Sequence, residues 1–248
     1  MNFFEVSQRL VDALGLAQPP VAVTFSTSSE FDKPSGPVPA GCRFWQDAAE
    51  RTFATTAADH RSCAVGMYTH NLEQTPDAQA DLSTALAVFR DLGYLTEADL
   101  PLIPVLQMCP QYVVYGPLSQ ASVAPAVVLL FVNAAQALIA SEAAQQLENR
   151  LLPALGRPAC AVVPSVANSE TAALSFGCCG ARAYLDNFTP ETAIFAIPGS
   201  KLELYTERLQ SLARANSTLR AFHQLRRTQI AAGLAPSVEE SLSALKNG

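Results

Sequence analysis

The chain has 248 residues, 49% of them hydrophobic and only 15% charged, which is enough apolar material for a large core and too much for disorder. Its net charge of −6 excludes an extended nucleic-acid-binding face, because neutralising phosphates takes clustered Lys and Arg. The nearest basic cluster, Arg220, Arg226 and Arg227, reads as the solvated side of a helix.

Phe3, Val6, Leu10 and Leu14 recur at helical spacing, and Gly15 supplies a stop. Glu5, Arg9 and Asp12 lie inside that pattern, which no signal-peptide core tolerates, so no targeting segment is expected. After Pro19-Pro20 a short strand is predicted over residues 21–25, then a Ser-, Pro- and Gly-rich surface loop over 26–40. Residues 52–56 are the next strand candidate. Helix follows over 61–72, and Leu82, Leu86 and Phe89 mark another that ends near Gly93. Residues 111–115 and 126–132 are the clearest buried strands, and Asn133 caps a helix running from 134 to about 152.

Residues 123–140 are apolar enough to raise the question of a membrane span. Pro125, Asn133 and Gln136 interrupt them, and a β-branched first half before an Ala-rich second half predicts a strand followed by a helix instead. Cys160 falls on a short helix whose first turn Pro158 suits. Residues 172–176 form a strand that delivers Gly177-Cys178-Cys179-Gly180, and 192–197 a further strand before Pro198-Gly199. Leu202, Tyr205, Leu209 and Leu212 mark a helix packed on the sheet; from Ser217 onward the tail is helical, broken by Gly233 and Pro236. The fold class is therefore α/β or α+β, a single mixed sheet flanked by helices with a helical C-terminal tail, and the residues themselves mark no repeat and no domain boundary.

Six cysteines are the main chemical signal. Cys42, Cys63, Cys160 and Cys178 each stand beside a Gly-, His- or Pro-marked turn, in Gly41-Cys42-Arg43, His60-Arg61-Ser62-Cys63, Pro158-Ala159-Cys160 and Gly177-Cys178-Cys179-Gly180. With no secretory signal the chain is expected to be soluble and cytoplasmic, where thiols stay reduced, so dispersed cysteines point to a metal or iron–sulfur centre before a disulfide framework. Ligands distant in sequence serve if folding brings them to about 2.3 Å from a metal. The competing reading is that free cysteines pack as small hydrophobes, and Cys109, in an apolar segment before Pro110, fits that reading. No Cys-x-x-Cys pair, Walker loop, Gly-x-Gly-x-x-Gly, His-Glu-x-x-His or Gly-x-Ser-x-Gly is present.

Around the thiols, Gly177 and Gly180 allow close backbone approach to an inorganic core, and Arg182 is a candidate cation beside Cys178 and Cys179. His60, after Asp59 and three residues ahead of Cys63, is either a ligand or proton donor or a helix-start residue that Asp59 caps. His70 and His223 read as surface residues, and Trp45 as core or a pocket wall.

Taken in order, several segments resemble the domain-of-unknown-function 169 family, also called the archaeal cysteine-rich family. They are Pro19-Pro20-Val21-Ala22-Val23, Cys42, Asp59-His60-Arg61-Ser62-Cys63-Ala64-Val65-Gly66, Val113-Val114-Tyr115-Gly116-Pro117-Leu118, Cys160, Ser175-Phe176-Gly177-Cys178-Cys179-Gly180-Ala181-Arg182 and Ile197-Pro198-Gly199. The resemblance runs to about residue 212, which implies a cysteine-rich family domain over residues 1–212 and a helical C-terminal extension over 213–248, and it is poor over 72–108. It implies that the family's cysteine-bearing segments coincide with Cys42, Cys63, Cys160 and Cys178, while Cys179 stands where the pattern varies and Cys109 has no counterpart. With it, a four-iron (4Fe-4S) cluster on four thiolates is expected ahead of zinc, in an electron-transfer or redox accessory role with a redox partner protein. Two alternatives stay open: a thiol enzyme using Cys178 or Cys63 with His60 as base, and a small-molecule binding module with structural cysteines.

Overall fold

The computed structural model describes residues 1–155 and 158–247 of the chain. In chain order its elements are α1 (Phe3–Leu14), β1 (Val21–Ser26), α2 (Arg43–Asp47), β2 (Phe53–Thr55), α3 (Ala64–Thr69), α4 (Pro76–Asp91), β3 (Tyr112–Pro117), β4 (Val127–Val132), α5 (Ala134–Glu148), β5 (Ala154–Leu155), α6 (Val162–Ser169), β6 (Ala173–Ser175), α7 (Cys179–Tyr184), β7 (Ala193–Pro198), α8 (Leu202–Ala231) and α9 (Val238–Asn247). The strands form one seven-stranded sheet in the order β2-β3-β1-β4-β7-β6-β5. Every pair is antiparallel except β5 with β6, so this is an α+β fold on a single mixed sheet.

Period-two alternation divides the core in two. Val127, Leu129 and Phe131 of β4, with Val21 and Val23 of β1 and Val113 and Tyr115 of β3, face one cluster. Val128, Leu130 and Val132, with Phe195 and Ile197 of β7, face the other. Residues 127–132 are thus buried on both faces, which is why they read as a continuous apolar run. α1, α5 and α8 cover the second face. α2, α3, α6 and α7 gather on the first, together with every cysteine singled out as a ligand candidate.

Local chemistry sets the element ends. Asn133 and Gln136 form a reciprocal capping box at the start of α5, and Gly15 ends α1 in the left-handed conformation. The helix placed over 61–72 is shorter: a 3₁₀ turn at Ala57–His60, boxed by Thr56 and Asp59, precedes α3. Asp59 does cap this turn, but from the fourth position of a box whose N-cap is Thr56, accepting from the Thr56 amide and hydroxyl. α5 stops at Glu148 because Asn149 adopts φ 51°. α8 passes without a break through residues 212 and 217 as one 30-residue helix. Among the described residues no helix is long and apolar enough to cross a membrane.

Candidate functional site

Four short segments bring the predicted cysteines to the same face of the sheet. Cys42 precedes α2 in a tight turn, in which the Ala40 and Gly41 carbonyls accept from the Arg43 and Phe44 amides. Cys63 precedes α3; its amide donates to the His60 carbonyl at 2.8 Å and its own carbonyl accepts from Met67. Cys160 sits in the 3₁₀ turn Ala159–Ala161 that leads into α6, with Pro158 as the preceding cap rather than inside the first turn. Cys178 precedes α7, and its sulfur accepts from the Ala181 N–H at 3.5 Å.

All four line one cavity of about 640 Å³. Leu86, Phe89, Tyr94 and Tyr184 line it as well. A smaller hollow of about 390 Å³, lined by Arg43, Asp47, Glu50 and Arg51, contains no thiol. Cys42 and Cys160 are buried, whereas Cys63 and Cys178 are half-buried. Among the described residues no three His, Cys, Asp or Glu side chains are grouped to hold a single metal ion.

The thiols are electrically aware of one another. Burial above all, with charge on Cys63 and Cys178 adding to it, pushes the Cys42 thiol up to about 12. Burial likewise raises Cys63, opposed by the Gly41 and Gly66 backbone groups hydrogen-bonded to its sulfur, with Cys178 adding to the rise. Burial lifts Cys160 well above the usual thiol range; Cys63, Cys42 and Cys178 add to that and the Thr69 hydroxyl opposes it. Charge on a neighbouring thiol thus opposes ionisation of Cys42, Cys63 and Cys160. Gly66 is glycine for a related reason: a Cβ there would lie 2.8 Å from the Cys63 sulfur.

Behind the thiols lies a buried polar layer. Thr55 Oγ1 donates to the Val113 carbonyl, so the His60 Nε2–H donates to Thr55 at 3.0 Å and Nδ1 keeps an unshared lone pair. His70 Nδ1 donates to the Gly66 carbonyl at 3.1 Å, leaving its Nε2 bare. Trp45 Nε1, His60 Nδ1, His70 Nε2 and the Tyr115 hydroxyl are all buried without a hydrogen-bond partner, as is Asn187 Oδ1 elsewhere. The rings of His60 and His70 are 6.0 Å apart. Thr69 places its hydroxyl 3.3 Å from the Cys160 sulfur.

Several sequence expectations change here. His70 is buried, not on the surface, because it follows α3 directly and its ring folds back onto the Gly66 carbonyl. Cys109 is exposed, not packed in the core; its segment is irregular, and Pro110 takes the inward position. Arg182 spends its guanidinium on the Phe176, Thr189 and Thr192 carbonyls and lies over the Phe188 ring, so it clamps the loop that carries Cys178. Cys179 is exposed at the cavity mouth near Tyr94. Trp45 is wholly buried in the core cluster. Tyr115 and Thr69 had not been singled out as site residues. The alternation of β3, with Val113 inward, was the one signal that could have found Tyr115.

The histidines also govern the acid response of the metal-free chain. Burial holds His60 down to about 3, with His70 adding to the effect, and holds His70 down to about 4 against its bond to Gly66. An unfolded imidazole protonates near 6.5, so below that pH the unfolded chain binds more protons than the fold. This contribution is fully present above about pH 6.5 and is lost as pH falls towards 4. The urea midpoint should decline over this window, and less steeply in His70→Gln; equal slopes in both chains would show that the imidazoles are not kept neutral by the fold.

A proton-poor imidazole beside proton-rich thiols also bears on thiol catalysis. An activated pair requires the reverse, a lowered cysteine beside a raised histidine.

The family model for DUF169, described as uncharacterised ArCR, matches residues 9–208. No curated protein and no solved structure matches the chain.

Proposed function

The chain belongs to the DUF169 family, and we propose that it binds an iron–sulfur cluster, 4Fe-4S rather than zinc, through Cys42, Cys63, Cys160 and Cys178. The observation that carries this reading is the convergence of four thiols, from four separate segments, on one largely apolar cavity. Among the described residues no group of three or more His, Cys, Asp or Glu is arranged to hold one metal ion; the preference for the cluster over zinc rests on all four candidate donors being thiols.

The residues fit such a group in three further ways. Five cysteines line the cavity against a single carboxylate, Asp81, among the described residues, and a sulfur-rich lining suits a thiophilic metal. Gly66 leaves free the space that a Cβ would take beside the Cys63 sulfur. Buried polar atoms with nothing to bond, the Tyr115 hydroxyl above all, lie around the thiols.

A bound cluster would supply one-electron redox chemistry. The chain's own groups have separate tasks. Gly41 and Gly66 hydrogen-bond the Cys63 sulfur, and Ala181 N–H that of Cys178. The buried pair, Cys42 and Cys160, keeps water from the floor. Ligation displaces the thiol protons that burial otherwise retains, so loading should release protons and be favoured by higher pH. Cys178, Cys179 and Tyr184 give a redox partner protein its shortest approach.

Anaerobic reconstitution with iron and sulfide tests the reading. A brown protein with about four irons and four sulfides per chain is expected. A colourless protein that binds neither would reject the reading, and one that binds a single zinc would replace it.

A further inference from the structure

We propose that the Tyr115 and Thr69 hydroxyls donate hydrogen bonds to the sulfur-ligated group in the four-cysteine cavity and thereby raise its reduction potential. The inference rests on the cluster reading and adds the residues that set the redox behaviour of that site.

Tyr115 lies on the face of β3 that meets the cysteines, and its ring is fixed on three sides. Phe44 stacks on it at 5.8 Å, Phe53 packs at 5.9 Å and His60 lies at 6.5 Å. A ring so confined cannot swing its hydroxyl to solvent, and no protein group accepts from it. A buried phenol normally finds an acceptor, so an unmet donor in a rigid setting marks the place of a missing partner. Tyr115 belongs to the same buried cluster as Cys42 and Cys160, with Cys63 and Cys178 packed against it; burial first, then charge on Cys160, Cys63 or Cys42, raises its phenol well above the usual range. Both influences keep the proton on the oxygen, which is the state a donor needs.

Thr69 meets the same group from α3. Its hydroxyl is 3.3 Å from the Cys160 sulfur and 3.1 Å from the Gly66 carbonyl, and it has one proton to give. His70 Nδ1 also donates to that carbonyl, which therefore keeps a partner when the Thr69 hydroxyl turns its one proton to a Cys160 thiolate.

The direction of the effect follows from charge. One-electron reduction adds negative charge that spreads over the iron-bound sulfurs, and a fixed O–H donor stabilises the more negative state more strongly. Removing the donor penalises the reduced form.

The test is potentiometric titration of the anaerobically reconstituted full chain, followed by paramagnetic resonance, in wild type, Tyr115→Phe, Thr69→Val and Tyr205→Phe. Tyr205 is the control: a buried tyrosine of the opposite core whose hydroxyl already donates to Glu148. Iron and sulfide contents should match in all four. Tyr115→Phe should shift the oxidised-to-reduced ratio about tenfold at fixed potential, a fall of about 59 mV, with a smaller fall in Thr69→Val and none in Tyr205→Phe. Metal-free Tyr115→Phe should melt no lower than wild type, because the lost hydroxyl had no partner; a purely structural tyrosine would melt lower. Equal midpoints in loaded wild type, Tyr115→Phe and Thr69→Val overturn the inference and leave the cluster reading intact. Wild type that takes up neither iron nor sulfide overturns both. Should Tyr115→Phe fail to load, the Thr69→Val midpoint decides.

Discussion

Cys160→Ser is expected to lose nearly all bound iron after reconstitution, from about four atoms per chain to less than one, while Cys109→Ser keeps the full complement. The two substitutions are chemically identical and differ only in place. Cys160 is buried on the cavity floor, coupled to three other thiols and touched by the Thr69 hydroxyl; Cys109 is exposed outside the cavity. Serine puts a shorter, harder ligand in the floor, and its hydroxyl holds its proton far more tightly than a thiol, so it neither reaches nor matches a thiophilic metal. Serine at Cys42, Cys63 or Cys178 should act in the same direction, and at Cys179 should not. Iron assay with visible absorption reads all of these, and equal iron in Cys160→Ser and Cys109→Ser would remove the cavity as the binding site.

Gly177→Ala is expected to destabilise the protein by roughly 2–5 kcal/mol, from a left-handed backbone costing about 1–2 kcal/mol and overpacking costing about 1–3 kcal/mol. Gly177 has φ 78°, and a Cβ there would stand 2.3 Å from Phe188 Cε1. Phe188 has little room to yield, since it meets Phe131 edge-on at 6.4 Å and lies beneath the Arg182 guanidinium. The strain falls on the turn between β6 and α7 that holds Cys178, so iron content should fall with stability. Gly180→Ala is the matched comparison. Its Cβ meets nothing closer than 3.6 Å, and it lies inside α7, where alanine is the better helix former. Urea midpoints measure both, and a Gly177→Ala midpoint equal to wild type would show that the loop does not fix Cys178.

Much of the sheet could be read from the chain because its signals are local. β4 is a β-branched run buried on both faces, and Asn133 with Gln136 caps the next helix with its own side chains. The four cysteines could be nominated because each lies beside turn-forming residues. What escaped was set by tertiary packing. β5 is two residues long and exists only by pairing with β6. His70 carries the same local signals as a surface histidine, and only its fold-back onto Gly66 buries it. Cys109 failed in the opposite sense, because apolar neighbours do not bury a residue in an irregular segment. Residues 72–108, where the resemblance was poorest, supply Leu86, Phe89 and Tyr94 to the cavity, and the family match runs through them. Tyr115 was hidden by its ordinariness: an aromatic in a strand is expected core, and only its unmet hydroxyl sets it apart.

The order in which the cysteines leave the ribosome has a consequence for maturation. Cys42 and Cys63 emerge early, but Cys160 and Cys178 follow only after the central strands β3 and β4, and the loop of Cys178 is held by Arg182 through carbonyls as far along as Thr192. For the proposed cluster, a nascent chain would expose only half of the four thiols for much of its synthesis. Assembly would then have to wait until translation passes β7, and the half-buried Cys178 and exposed Cys179 mark the side that a maturation factor would meet.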